Sequence, residues 1–221
     1  MPKRPFDTSY LGRVDYISAL ELQWSLAEKR KTETITDHLL LLEHPSVITL
    51  GSRARNEDIL ASPDFLTHHK IEVHRVNRGG QATYHGPGQL IGYPVLKLRA
   101  LDRPVSYIRS IEEVLIRAIA RHHISGTRVP GHPGVWVNGA KLAAIGVRIS
   151  DGVTTHGFAI NVNTDLSLFK TIVPCGTPAL QVTSLREQTR KVNTIEELAV
   201  DIAMEFGEVF DMDVVWGNGF L

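Results

Sequence analysis

The sequence predicts an α+β fold, a mostly antiparallel sheet packed with helices. Three observations lead there. Apolar runs at Val135–Val137, Lys141–Ile149 and Val153–Val162 are joined by Asn138-Gly139 and Asp151-Gly152, dipeptides that supply the positive φ angles of tight hairpins. Further segments carry apolar residues at helical spacing behind recognisable helix starts. No repeat, low-complexity stretch or linker divides the chain, and such a mixture of elements builds one layered core.

Residues 1–10 read as a flexible tail. Asp15 caps a helix to about Lys31, with Tyr16, Leu20, Trp24 and Ala27 at helical spacing. Asp37–His44 reads as a buried strand ended by Pro45, and Val47–Leu50 as a short strand stopped by Gly51. Short helical pieces are expected near Asp58 and Pro63, then a strand over Ile71–Val76. The glycine-dense segment Arg78–Gly88 reads as a loop. The strand Leu90–Leu98 contains Pro94, which points to an edge or a bulge. A long helix opens at Pro104, with Val105, Ile108, Ile111, Leu115, Ala118 and Ile119 as its apolar stripe. After the three-stranded meander, 163–192 is loop-rich with short helical pieces. Thr194-Ile195-Glu196-Glu197 is a capping box. It starts a helix to about Phe210, with Ile195, Leu198, Ile202, Phe206 and Val209 facing in. Asp213–Trp216 is a last strand.

The 221 residues suit one domain, and roughly 70% of the unfolded chain's surface is buried at this size. Such a core needs no staples, and a single Cys excludes the secreted disulfide-built classes. Lys+Arg and Asp+Glu both number 24, so nothing marks a general nucleic-acid binder. The longest aliphatic run, Leu39–Leu42, falls far short of the ~18 residues of a membrane span. The basic start, Met1-Pro2-Lys3-Arg4-Pro5, precedes no apolar stretch, so a secretory signal is not expected. A reducing, cytoplasmic setting is expected.

Four features could carry chemistry. If no bulge intervenes, Lys141 begins the row of Ala143, Ile145, Val147 and Ile149 and points to the core side. Burial there would disfavour the charged amine and yield a base, although the spacing alone favours a solvated lysine just after a hairpin turn, since charged residues are rarely buried. His156 shares parity with Phe158, Ile160 and Val162, the pattern of a satisfied core histidine more often than of a working one. Cys175 lies in Val173-Pro174-Cys175-Gly176-Thr177-Pro178, a shaped loop rather than a core strand. A thiolate there would need a nearby base or cation. The segment Arg78–Gln89 lacks the lysine of a P-loop and the spacing of a dinucleotide fingerprint. Its glycines suit a loop that a ligand approaches closely, with Tyr84 and His85 lining a pocket. The adjacent pairs His68-His69 and His122-His123 diverge, so no metal site is expected.

At these residues the sequence resembles the lipoyl(octanoyl) transferase family, which moves an octanoyl group from acyl carrier protein to protein lysines. The resemblance rests on Arg78-Gly79-Gly80 with Thr83-Tyr84-His85-Gly86-Pro87-Gly88-Gln89, and on Gly134-Val135-Trp136-Val137 leading to Lys141 and Ala144-Ile145-Gly146-Val147-Arg148. It also rests on His156–Val162, Val173–Gly176, Val182–Leu185, Glu43-His44-Pro45 and Thr49-Leu50-Gly51. These motifs span roughly residues 10–215. Thr177 and Gln181 depart from the pattern, where an aliphatic residue and a glycine are expected.

The resemblance implies a fold like the catalytic domains of biotin and lipoate protein ligases, with 1–221 as a single acyltransferase domain. It implies catalysis by Cys175 and Lys141. The acyl pocket would be lined by Arg78, Gly79, Gly80, Gln81, Ala82, Thr83, Tyr84 and His85, by Ala144, Ile145 and Gly146, and by Gly157, Phe158 and Ala159. The small Ala144, Gly146, Gly157 and Ala159 would leave room for the chain. No cofactor is implied, since the acyl group arrives on the phosphopantetheine of acyl carrier protein. The acceptors would be lipoyl domains of 2-oxoacid dehydrogenase complexes and the glycine-cleavage H protein, met by a monomer. Arg53, Arg55, Arg75 and Arg78 are candidates for a basic rim facing the acidic carrier. The rival readings are an ATP-dependent lipoate or biotin ligase, disfavoured by the Cys loop and by the lack of a Gly-Arg-Gly-Arg run, and a non-catalytic carrier-binding module. A papain-like protease lacks its companion His and Asn motifs.

Overall fold

The computed structural model describes residues 3–98, 103–177, 180–189 and 194–217. In chain order the elements are β1 (Arg4–Arg13), α1 (Tyr16–Lys31), β2 (Asp37–Glu43), β3 (Val47–Leu50), α2 (Pro63–His68), β4 (Glu72–Arg75), β5 (Ala82–His85) and β6 (Gln89–Val95). Then come α3 (Pro104–Ala120), β7 (Thr127–Val129), β8 (His132–Val137), β9 (Ala140–Ser150), β10 (Val153–Asn161), α4 (Leu185–Thr189), α5 (Ile195–Phe210) and β11 (Met212–Trp216). Short 3-10 turns lie at Asn56–Asp58, Leu166–Thr171 and Pro174–Gly176.

Eight strands form the main sheet in the order β11-β1-β2-β6-β10-β9-β8-β7, and β4-β3-β5 form a second, smaller one. The main sheet is antiparallel except at one end, where β1 runs parallel to both β2 and β11. Alternation along its strands sorts residues between two faces. Leu39, Leu41, Leu90, Phe158 and Ile160 pack against α3 and α5, while Leu40, Leu42, Ile91, Tyr93 and Ala159 pack around Ala19 of α1. The small sheet has its own core of Ile48, Leu50, Ala82, Tyr84, Phe169 and Ile172. Tyr16 and Leu20 of α1 join it to the rest through Val47.

Local signals act as expected at several places. The Asp15 carboxylate caps α1 by accepting the Ser18 N–H at 3.0 Å, and the Thr194 hydroxyl caps α5 by accepting the Glu197 N–H at 3.1 Å. Asn138, Gly139, Asp151 and Gly152 all have positive φ at the two meander turns. Other expectations are corrected. Residues 4–10 are no tail: they open β1, and Phe6 is fully buried against Phe206. Segment 82–85 is a buried strand rather than loop. Trp24 is exposed, because the inner face of α1 is Tyr16, Ala19, Leu20, Gln23 and Ala27; Val105 is exposed at the first turn of α3.

Pro94 marks neither an edge nor a bulge. Phe158 pairs with Gly92 and Val153 with Lys97, so the register between β6 and β10 is kept. The ladder lapses between those pairs, where Pro94 has no N–H to donate. His156, at φ 57°, sits on the β10 side of this lapse.

Candidate active site

Cys175 is held at the tight turn Pro174–Gly176 with φ 55° and ψ 20°, followed by Gly176 at φ 65°. Left-handed backbone is costly for a non-glycine residue and persists only where the surroundings impose it. Here Gly176 N–H donates to Val173 O, Thr177 N–H to Pro174 O, and Val173 N–H to Asp58 O. Gly176 lies against the Gln81 carboxamide, where a Cβ would come within 2.0 Å. The turn is thereby seated on β5.

Lys141 approaches from β9. A bulge at Leu142 breaks the expected alternation: Ala143 pairs with Val135, but Lys141 pairs with Trp136. Lys141 is nevertheless buried. Its backbone is gripped by the segment after the Cys loop, with Lys141 N–H donating to Gln181 O at 2.8 Å and Thr183 N–H to Lys141 O at 3.0 Å. Gln181 uses only its carbonyl here, and its φ is not positive, so the absent glycine is not required. The Lys141 Nζ donates to Cys175 Sγ at 3.4 Å and lies 5.4 Å from the centre of the Trp136 ring.

A cavity of about 230 Å³ opens at this pair. From the glycine-rich stretch it is lined by Arg78, Gly79, Gly80, Gln81, Ala82, Thr83 and His85; from β9 and β10 by Ala144, Ile145, Gly146, Gly157, Phe158 and Ala159. Tyr84 is the exception: strand alternation turns it into the small-sheet core, where its hydroxyl meets Ser46 Oγ at 3.1 Å. Residues not assigned to the pocket from sequence also line it, among them Tyr16, Tyr93, Ile108, His132, Val147 and His156. Tyr16 and Ile108 sit in helical stripes that read simply as core. A smaller hollow of about 20 Å³ shares Lys141 and Cys175 and reaches Gln89 and Asn161.

The glycines that line the cavity also have a second use. A Cβ on Gly157 would lie 2.0 Å from Gly92 O, and one on Gly146 3.0 Å from Gly79 O. They admit close neighbouring backbone on that side. Gly79 N–H donates to Val147 O at 3.0 Å, so the Arg78–Gln81 segment straps across β9.

Arg78 is buried and belongs to no surface rim. Its guanidinium donates to Thr49 O at 2.7 Å, Gln81 O at 2.8 Å and Gly79 O at 3.0 Å, stapling the strap to β3. Burial lowers its pKa from the ordinary value. Arg75 is engaged with Asn56 Oδ1 and Ala54 O; Arg53 is exposed beside the cavity.

Beneath the pocket runs a neutral hydrogen-bonded chain. The His85 Nδ1 meets Gln89 Oε1 at 2.8 Å, Gln89 Nε2 donates to Asn161 Oδ1 at 2.9 Å, and Asn161 Nδ2 donates to Thr183 O at 2.9 Å. Burial, reinforced by the neighbouring His44, pushes His85 down to about 3. Burial also pushes His44 and His156 down to about 4. His44 bridges Val14 O and the Tyr93 hydroxyl; His156 meets Asn77 Oδ1 at 2.9 Å and does not join the apolar row. On the other side of Lys141, the buried Glu112 accepts the Gly134 N–H at 3.1 Å and is neutralised by Arg109 and Arg128.

A layered sheet carrying a deep pocket and a paired thiol and amine defines the class: an acyl-handling catalytic domain of the ligase and transferase type. The fold agrees with solved structures, as shape alone. A lipoate-protein ligase A bound with ATP superposes with a TM-score of 0.79 at 16% identity, covering 98% of this chain and 89% of that one. The biotin protein ligase from Aquifex aeolicus, in complex with biotin and ATP, gives 0.60 at 15% identity over 93% of this chain and 70% of that one. The chain belongs to the lipoyl protein ligase A/B catalytic domain family, whose model matches residues 15–207, and within it to the octanoyltransferases. It is 46% identical to the octanoyltransferase of Acidobacterium capsulatum over 94% of this chain and 91% of that protein. It is 49% identical to that of Koribacter versatilis, over 93% and 84%. The enzyme is thus an acyltransferase.

Proposed function

We propose that this enzyme transfers an octanoyl group from octanoyl-acyl carrier protein to a lysine of lipoyl domains, through a thioester on Cys175. The carrying observation is the 3.4 Å contact between Lys141 Nζ and Cys175 Sγ at the pocket, within reach for proton exchange. Lys141 takes the thiol proton or holds the thiolate. The sulfur attacks the carrier thioester, the carbon–sulfur bond to the pantetheine arm breaks, and that arm leaves as a thiol. The acceptor lysine's amine then attacks octanoyl-Cys175. An amide forms and the Cys175 sulfur leaves, recovering its proton by way of Lys141. Each buried methylene of the chain contributes about 0.8 kcal/mol in an apolar pocket.

Thioester exchange is nearly balanced and aminolysis runs downhill, so the reaction requires neither ATP nor a metal. One chain supplies both members of the pair, which supports action as a monomer. The acceptors fit the lipoyl domains of 2-oxoacid dehydrogenase complexes and the glycine-cleavage H protein. The thiol must stay reduced, which supports a cytoplasmic setting; no helix among the described residues is long and apolar enough to cross a membrane. Incubation with octanoyl-acyl carrier protein should add one octanoyl mass, labile to hydroxylamine, in wild type but not in Cys175→Ser. Free octanoate with ATP should add nothing. An adduct that persists in Cys175→Ser, or acylation that depends on ATP, overturns the reading.

A further inference from the structure

Lys141 carries a buried amine with no carboxylate beside it. It is 6% exposed, and among the described residues no acidic side chain forms an ion pair with it. Glu112, which reaches the adjoining Gly134 N–H, spends its other oxygen on Arg109 and Arg128. An ammonium deprived of water needs a compensating partner. Two groups face it: Cys175 Sγ at 3.4 Å and the Trp136 ring at 5.4 Å. The second distance is within the range at which a ring face attracts a cation.

The ring is itself fixed. Trp136 is buried, pairs across the sheet with Lys141, and donates its indole N–H to His132 O at 3.3 Å. The His132 ring stands against it, 6.1 Å away and nearly perpendicular. Opposite, Gly134 leaves the lysine stem its room, since a Cβ there would lie 2.8 Å from Lys141 Cε.

We infer that the indole face of Trp136 is the positioning element that holds the Lys141 amine against Cys175. The inference rests on the proposed acyl-Cys175 chemistry and adds what happens between its two halves. Before acylation the thiolate and the ring face together hold the ammonium. The departing pantetheine thiolate takes that proton, so Lys141 is neutral beside octanoyl-Cys175. When the acceptor amine attacks, Lys141 takes up the proton it loses and is an ammonium again while the sulfur is still bonded to carbon, and the unchanged ring face is the group that steadies it.

The test is the pH profile of Cys175 alkylation by iodoacetamide, with the rates of octanoyl transfer, in wild type, Trp136→Leu and Trp136→Phe. Leucine removes the ring face and phenylalanine keeps one. Trp136→Leu should lower alkylation at pH 7 by about tenfold and move the profile to higher pH, with kcat falling and KM little changed. Trp136→Phe should restore most of the loss. Where Trp136→Leu does not fold, wild type carrying fluorinated tryptophans, whose ring faces attract cations less, should slow in step with the number of fluorines. Unmoved profiles, or equal losses in the Leu and Phe variants, overturn the inference. Wild type that neither alkylates readily nor forms the octanoyl adduct would instead overturn the underlying chemistry.

Discussion

Asn161 on β10 donates its side-chain N–H to the backbone carbonyl of Thr183 at 2.9 Å, and Thr183 in turn donates its own N–H to the carbonyl of Lys141. A side chain in the middle of the sheet thus sets where the lysine's strand begins. Asn161→Ala leaves Thr183 O without its side-chain donor and removes one of the two bonds that Gln89 Nε2 donates, the one to Tyr84 O remaining, at a cost of about 1–3 kcal/mol. Octanoyl transfer should fall further than that loss explains, through a displaced Lys141. Denaturant unfolding and single-turnover acylation on one sample compare the two; acylation at the wild-type rate would rule out the positioning role.

Lys141→Ala should slow alkylation of Cys175 at neutral pH, on the order of tenfold or more, while the rate at high pH recovers. The cation that favours the thiolate is then absent, and the thiol must ionise without help. Stopped-flow alkylation from pH 5 to pH 10 reads this directly. A profile identical to wild type would show that Lys141 does not assist the thiol.

Acid should unfold the protein early. His44 and His156 are depressed to about 4 and His85 to about 3, all by burial first. These groups stay neutral in the fold, while in the unfolded chain they bind protons near their ordinary value of about 6.5. Between that value and about 4 the unfolded state therefore holds more protons, so stability is full at neutral pH and is lost as pH falls. Each group contributes up to about 1.4 kcal/mol per pH unit in that window. Tm measured from pH 7.5 to pH 4.5 should drop steeply below about 6, and His156→Gln should flatten the slope. A flat Tm across the window would refute the assignment.

Gly157→Ala should destabilise more than Gly139→Ala. The first methyl meets Gly92 O at 2.0 Å, backbone that cannot move aside; the second meets nothing within 4 Å and suffers only from a φ of 81°. The expected costs are about 3 kcal/mol or more, against roughly 1–2 kcal/mol. Paired urea melts decide, and equal losses would mean that the strands separate at no cost.

Where a signal is local, the sequence could be read. Asp15, Thr194, Asn138-Gly139 and Asp151-Gly152 each act through a neighbour within a turn. The nucleophile loop and Lys141 were visible as motifs, but their meeting across the fold was not. Strand β1 stayed hidden because the buried Thr8 interrupts its apolar alternation, and one of its two partners, β11, lies far along the chain. Strand β5 was masked by flanking glycines. The Leu142 bulge and the left-handed backbone of Cys175 leave no mark in residue type, since a bulge needs no glycine and cysteine rarely adopts that φ. The close backbone approach at Gly146 and Gly157 was not legible, because residue size does not say which neighbour a glycine admits.

Strand β1 is also the slowest part of the sheet to be completed during synthesis. One edge pairs with β2, which follows within a few dozen residues, but the other waits for Met212–Trp216. Every residue of the candidate site up to Thr183 leaves the ribosome before that edge can close. Until then an extended strand with Phe6 and Thr8 turned to the interior offers open backbone hydrogen bonds to any passing chain. A nascent chain ending just before β11, carried out of the ribosome tunnel on an added C-terminal spacer, should therefore already hold the Lys141–Cys175 pair, yet depend on chaperones far more than one that includes β11.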